Sequence, residues 1–190
     1  MTTKPYVPHK GIKHNPIIAQ TKAGKVTITD YTPSKVQGRR VIEATLGGKR
    51  GYVPLDSYPE IDAAIKAENE RHEAEFVARY PGVYELVAAQ NDAEYRYERL
   101  QREIESGDGI LSNSIPERDP AEAAKQYPIA AAYLQICDYC DNCSMSNVGM
   151  AKSSTGNWAI EQIKNGADVI TTRDEMVKRY RNTDTTDYGN

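Results

Sequence analysis

"RRVIEATLGGKRGYVPL" (39–55) is the stretch on which the fold turns. Its first part, "RRVIEATL" (39–46), has the composition of a strand, and "YVPL" returns to it. Between them, "GGKRG" (47–51) supplies the glycines that a hairpin needs for positive φ. Upstream, "KVTITDY" (25–31) alternates Val26 and Ile28 with Thr and Asp, as a half-buried strand does, and "TPSKVQG" interrupts it. The expected product is an antiparallel sheet of two or three strands. So small a sheet is marginal alone and must pack on something else.

What it packs on follows in the chain. "SYPE" (57–60) reads as a capping box, with Ser57 as N-cap and Glu60 at the third helical position. Ile61, Ile65, His72 and Phe76 then recur at helical spacing up to Tyr80, and Pro81–Gly82 stops the helix. A second helix carries Val83, Leu86, Gln90, Ala93, Tyr97, Leu100 and Ile104 in alternating steps of three and four. Two long helices joined by so short a break are expected to fold back as an antiparallel hairpin. Within it, "KAENERHEAE" (66–75) is charged nearly all round and reads as solvated.

The remaining segments read as further helices. Asp119 caps a helix that has Pro120 in first position, Pro128 interrupts it, and "IAAAYLQICDYC" continues. Residues 144–157 read as a Ser/Asn/Gly-rich connection, "NWAIEQIKNG" as a short helix closed by Gly166, and "TTRDEMVKRYR" as a last helix capped by Thr172 toward Glu175. The predicted fold class is therefore α+β: a small basic N-terminal antiparallel β-sheet packed on a mainly α-helical body with a long helical hairpin. Its organisation is an extended basic arm (1–24, with Pro5, Pro8, Gly11 and Pro16), a sheet (25–56), a helical body (57–182) and a flexible tail (183–190), in one globular unit.

Charge is unevenly spread. Residues 1–54 hold ten Lys/Arg and two Asp/Glu, a net of +8, whereas residues 55–107 hold six and thirteen, a net of −7. Such a split points to charged partners. Lys35, Arg39, Arg40, Lys49 and Arg50 lie on or beside the predicted hairpin with Tyr31 and Tyr52 near, and Lys4, His9, Lys10, Lys13 and His14 occupy the arm. Cations on a ribbon can neutralise phosphates while tyrosines stack on bases, so DNA or RNA is one expected partner. Equally, the basic sheet can dock on the protein's own acidic helices, or guard its edges with charge. No helix-turn-helix, zinc-finger or RNP pattern accompanies it, so base-specific reading is not expected. Thirteen Tyr against one Phe and one Trp favour wet contact surfaces, with Tyr6, Tyr52 and Tyr188 in the most polar settings.

All three cysteines, Cys137, Cys140 and Cys143, fall within seven positions. On a continuous helix, neighbours in this series sit about 60° apart and the outer two about 120° apart. Three thiolates converge only if the helix unwinds near Asp141–Asn142, and zinc would need a fourth ligand, with His9, His14 and His72 distant in sequence. An iron–sulfur site has the same deficit, and a redox pair lacks the strand–CxxC–helix setting. Packing is the favoured reading, with Ile129, Tyr133, Ile136 and Cys140 as a buried stripe.

"GGKRG" lacks P-loop spacing, and there is no G-x-S-x-G or H-E-x-x-H. No run of 18 apolar residues spans a membrane, and no apolar leader core opens the chain, so a cytoplasmic, membrane-free protein is expected. The composition favours a non-enzymatic binding protein that engages a nucleic-acid enzyme or nucleoprotein complex. Inhibitors of host defence nucleases, anti-CRISPR proteins among them, share this charge and size. The alternatives are a nucleic-acid-binding accessory protein, a metal or redox protein at the cysteines, and a protein that self-associates through 58–106.

Overall fold

The computed structural model describes residues 4–106, 119–142 and 144–183, apart from the side chains at 100, 103, 104 and 106. Tyr188 and Cys143 thus lie outside the described residues, as do the side chains of Leu100 and Ile104. An antiparallel five-stranded sheet and then six helices make up the described chain, the α+β class that the sequence predicts. The chain divides into two units, Ile12–Phe76 and Met1–Gly11 with Val77–Asn190.

The first unit contains strands β1 (Ile17–Thr21), β2 (Gly24–Ile28), β3 (Ser34–Val36), β4 (Arg39–Leu46) and β5 (Lys49–Pro54), with most of helix α1 (Pro59–Arg79). β4 is central. Val41 pairs with both Pro54 and Ser34, and Thr45 with both Arg50 and Thr27, so β5 lines one edge of β4 while β2 and β3 share the other. Gly47 and Gly48, at φ 56° and 79°, form the two-residue turn expected of "GGKRG", because a turn with both residues at positive φ matches the strand twist. Gln37 and Gly38, at φ 51° and 80°, make the same kind of turn between β3 and β4. β3 escapes a pattern reading because its three residues are all exposed. β1 lies within the stretch read as an arm, where prolines and lysines surround it, yet Ile17, Ala19 and Thr21 alternate inward.

Sheet and helix share one core. Ile17, Ala19, Val26, Ile28, Ile42 and Ala44 from the sheet are buried with Leu55, Ile61 and Ile65. Burying a side chain such as Ile stabilises by roughly 1.5–3 kcal/mol. The capping box at 57–60 does not form. Leu55–Ser57 is instead a single 3₁₀ turn, closed by the Tyr58 N–H to the Leu55 carbonyl at 3.1 Å, and α1 starts at Pro59, which has no N–H to leave unpaired.

The second unit holds α2 (Val83–Ser106), α3 (Pro120–Gln126), α4 (Pro128–Cys140), α5 (Asn147–Lys164) and α6 (Val169–Asn182). α4, α5 and α6 pack on one another, and α2 lies against α3 and α4. Each long helix thus has its own packing partner, α1 the sheet and α2 the short helices. Asp119 caps α3 by accepting from the Ala121 N–H at 2.8 Å, and Pro128 opens α4, both as expected. The Ser/Asn/Gly-rich stretch is helical from Asn147, because its small residues are what the neighbouring helix requires. A Cβ on Gly156 would lie 2.6 Å from the Cys140 backbone nitrogen. Ser146 caps this helix, and Asp168, not Thr172, caps α6; Thr172 is buried a turn further on.

The start of the chain is docked within this unit. The Tyr133 hydroxyl accepts from the Lys10 N–H at 2.9 Å and donates to the Pro8 carbonyl, and Tyr80 stacks on Tyr133 at 3.9 Å. Arg79 donates to the carbonyls of Gly11 and Ile163. Gly11 sits at φ 86°, and a Cβ there would come within 2.8 Å of the Tyr80 hydroxyl. No helix among the described residues is long and apolar enough to cross a membrane.

Candidate recognition face on the sheet

Strand alternation sorts the predicted site residues. Ile42 and Ala44 of β4 face the core, so Arg39, Glu43 and Thr45 belong to the opposite, outer face. The register carries that face across the sheet: Ile18 beside Thr27, Thr27 beside Thr45, Thr45 beside Arg50, and Tyr52 opposite Glu43. Val36, opposite Arg39, extends it onto β3. Large side chains stand exposed here: Tyr52 at 64 %, Ile18 at 61 % and Val36 at 44 %.

Lys35, Arg40 and Lys49 alternate to the other side. Arg40 reaches α1, with its Nη2 3.2 Å from Asp62 Oδ1. Together they line a groove of about 430 Å³ whose other walls include Pro33, Ile65, Glu70 and Glu73. Tyr31, also predicted for the site, is half-buried and stacks on His14 at 4.3 Å. Its phenol is pushed above its ordinary pKa, mainly by burial. Of the seven predicted residues, the structure therefore brings Arg39, Arg50 and Tyr52 to one face and places the others elsewhere.

The electrostatics are more balanced than the sequence split implies. Arg50 Nε lies 2.5 Å from Glu43 Oε1, and Arg39 Nε is 3.9 Å from Asp56 Oδ2. Counting residues 12–76 as the unit they form gives ten Lys/Arg and nine Asp/Glu. The basic arm is engaged as well. Lys10 pairs with Asp141, Lys4 lies over the Tyr84 ring, His9 bonds the Tyr84 hydroxyl, and His14 is 3.8 Å from Glu68.

Cys137 and Cys140 lie on α4, which ends at Cys140, where Asp141 begins a turn. Cys137 is 4 % exposed, and burial pushes its thiol up to about 11. Cys140, half-buried, is raised for the same reason. The fully buried members of the stripe are Tyr133 and Ile136, with Ile129 and Cys140 at its margin. No group of three or more His, Cys, Asp or Glu among the described residues is arranged to hold a metal ion.

Tyr6 is exposed at 87 %, as its polar context predicts, and Tyr95 and Tyr97 of α2 at 55 % and 63 %. Ile18 and Val36 are the members of the face that sequence reasoning missed. For Ile18 a signal existed, the two-residue alternation of "IIAQT". For Val36 there was none. Comparisons of the chain with protein-family models, with curated proteins and with solved structures find no match.

Proposed function

We propose that this protein is a binding protein without chemistry of its own, which docks through the outer face of its sheet. The partner is a nucleic-acid enzyme or nucleoprotein complex, gripped on its protein component. One observation carries this reading: Ile18, Val36 and Tyr52 stand exposed on the face that also holds Arg39 and Arg50. Exposed Tyr and Arg beside aliphatic side chains form the composition of interface hot spots. Arg50 and Arg39 already have carboxylates beside them, which favours a protein of mixed charge over a bare phosphate chain. An inhibitor of a nuclease complex would be one such protein.

The test is capture of partners from a native-like lysate by the wild-type chain and by Tyr52→Ala, with and without nuclease, at low and high salt. A protein retained through nuclease and salt by the wild type, and lost with Tyr52→Ala, supports the proposal. Equal retention by both removes the face from the mechanism. Lys25, exposed and on the outer side by register, favours nucleic acid as a second reading. Its signature is retention that nuclease abolishes, together with salt-sensitive binding of a labelled single-stranded oligonucleotide.

A further inference from the structure

β5 pairs with β4 along one side and with no other strand among the described residues. Leu46 and Lys49 flank the two-residue turn between these strands, so they exchange both backbone hydrogen bonds. By alternation Ala44 does the same with Gly51, and Ile42 with Val53. Arg50 and Tyr52 therefore direct their N–H and C=O groups away from β4. Pro54, next in that series, has a carbonyl but no N–H to offer. Lys49, Arg50, Gly51 and Tyr52 are all exposed, so the edge is open to solvent. Such a row of donors and acceptors is a template for a further strand. The other edges offer less. β3 has three residues, and β1 carries Ala19, committed to the core, between its outward-directed Ile18 and Gln20.

We infer that β5 pairs with β5 of a second copy of this chain, antiparallel about a twofold axis at Gly51, to form a weak homodimer with one continuous sheet. Only residues that direct backbone groups outward can exchange bonds, which sets Arg50 opposite Tyr52 of the other copy on both sides of the axis. Four hydrogen bonds result. Gly51 meets Gly51 in the narrow pair between them, where Cα atoms approach to about 4.5 Å. The neighbouring registers are poorer: one sets Arg50 against Arg50, the other sets Arg50 against Pro54, which returns no N–H. In the favoured register Arg50 faces a Tyr52 ring and Lys49 faces Val53, so no cation faces a cation. Glu43, 2.5 Å from Arg50, balances that charge within each copy. Residues 12–76 hold ten Lys/Arg and nine Asp/Glu, so these units meet edge to edge without net repulsion.

Four backbone bonds and two Arg–Tyr pairs are few against the cost of association, so the dissociation constant is expected on the order of 0.1 mM. The twofold axis stands perpendicular to the sheet, because residues paired across it share a face. Both copies therefore present Arg39, Arg50 and Tyr52 on the same side, and the outer face is doubled. The pairing uses the backbone edge and does not depend on what that face binds.

The experiment is sedimentation equilibrium of the full chain from about 10 μM to about 1 mM, which brackets that constant. The average mass should rise toward that of two chains, while exchange of the Arg50 and Tyr52 amides slows by about twofold or more. Gly51→Asp and Gly51→Lys each set two like charges face to face at the axis, where a Cβ meets nothing within 4 Å of its own chain. Each should weaken the dimer by about tenfold or more, and an equimolar mixture of the two should restore it. A wild type that stays monomeric at about 1 mM overturns the proposal. So does a dimer that both variants keep, or a mixture no heavier than its components. If neither variant folds, the wild-type amides decide: exchange at Arg50 and Tyr52 that is equal at both ends of the concentration range sinks the idea. Gly51 contributes no side chain to the outer face, so loss of partner capture and loss of the dimer are separate results.

Discussion

Glu68 shows how a single charged side chain can be structural rather than catalytic. It sits in "KAENERHEAE", which reads as a solvated run, yet its side chain is only 11 % exposed and it joins Asn15, Arg71 and His14. Its carboxyl is depressed in the folded state, so the stability it contributes is present above about 4.5 and is lost as pH falls toward about 2. Glu68→Gln should lower stability at pH 7 by about 1.5–3 kcal/mol, the worth of hydrogen bonds to a charged group. Thermal melts between pH 5 and pH 2 should then show a shallower acid decline for the variant than for the wild type. Cys137 is the opposite case. Its thiol, raised to about 11 by burial, carries roughly a hundredfold less thiolate at neutral pH than in the unfolded chain. Iodoacetamide at pH 8 should modify Cys137 at least that much more slowly in native than in denatured protein, as peptide mapping would show. Equal rates would mean that the thiol is not packed as described.

Elements are decided here by how closely backbones approach. Gly156 lies inside α5, where alanine is ordinarily the better helix former, yet a Cβ would press on the α4 backbone. Gly156→Ala should therefore destabilise by about 1–3 kcal/mol, the range for overpacking. Gly51 in β5 has ordinary φ and nothing within 4 Å of a Cβ, so Gly51→Ala should be neutral or stabilise by about 0.4–1 kcal/mol. Paired denaturant titrations would separate the two. The same contrast explains what the sequence could reveal. The hairpin at Gly47–Gly48, the stripe Ile61, Ile65, His72 and Phe76, and the Asp119 cap are local patterns, and all are legible. α5 is illegible because its reason, close contact with Tyr139 and Cys140, lies in another helix. β3 escapes because pairing with β4 defines it, not its own composition, whereas β1 carries the alternation of "IIAQT" but is masked by the prolines and lysines around it. The candidate face was half legible: its cations stood out, but only the register shows that Arg39, Arg50 and Tyr52 share a side while Lys35, Arg40 and Lys49 do not.

At the scale of the whole molecule, the basic and acidic halves of the sequence do not correspond to the structural division. Residues 12–76 combine the basic sheet with much of the acidic run, which leaves that unit one charge from neutrality. Binding through its sheet face should accordingly depend weakly on salt, because few counterions are released. Affinity for the captured partner, measured between 50 and 200 mM salt, should fall well short of the 10³-fold loss typical of six or more phosphate contacts. A steeper fall would return the argument to nucleic acid. The Ile12–Phe76 unit is also contiguous, whereas the other is assembled from both sides of it. That difference has a consequence in time. A chain emerging from the ribosome has the whole of the first unit once residue 76 is out. Pro8, Lys10 and Gly11 must wait for Tyr133, Asp141 and Ile163, more than 120 positions later, before those anchors exist. Synthesis thus finishes the contiguous unit first and the divided one last, and a nascent chain arrested before Tyr133 should show protease-sensitive residues 8–11 and an already resistant sheet.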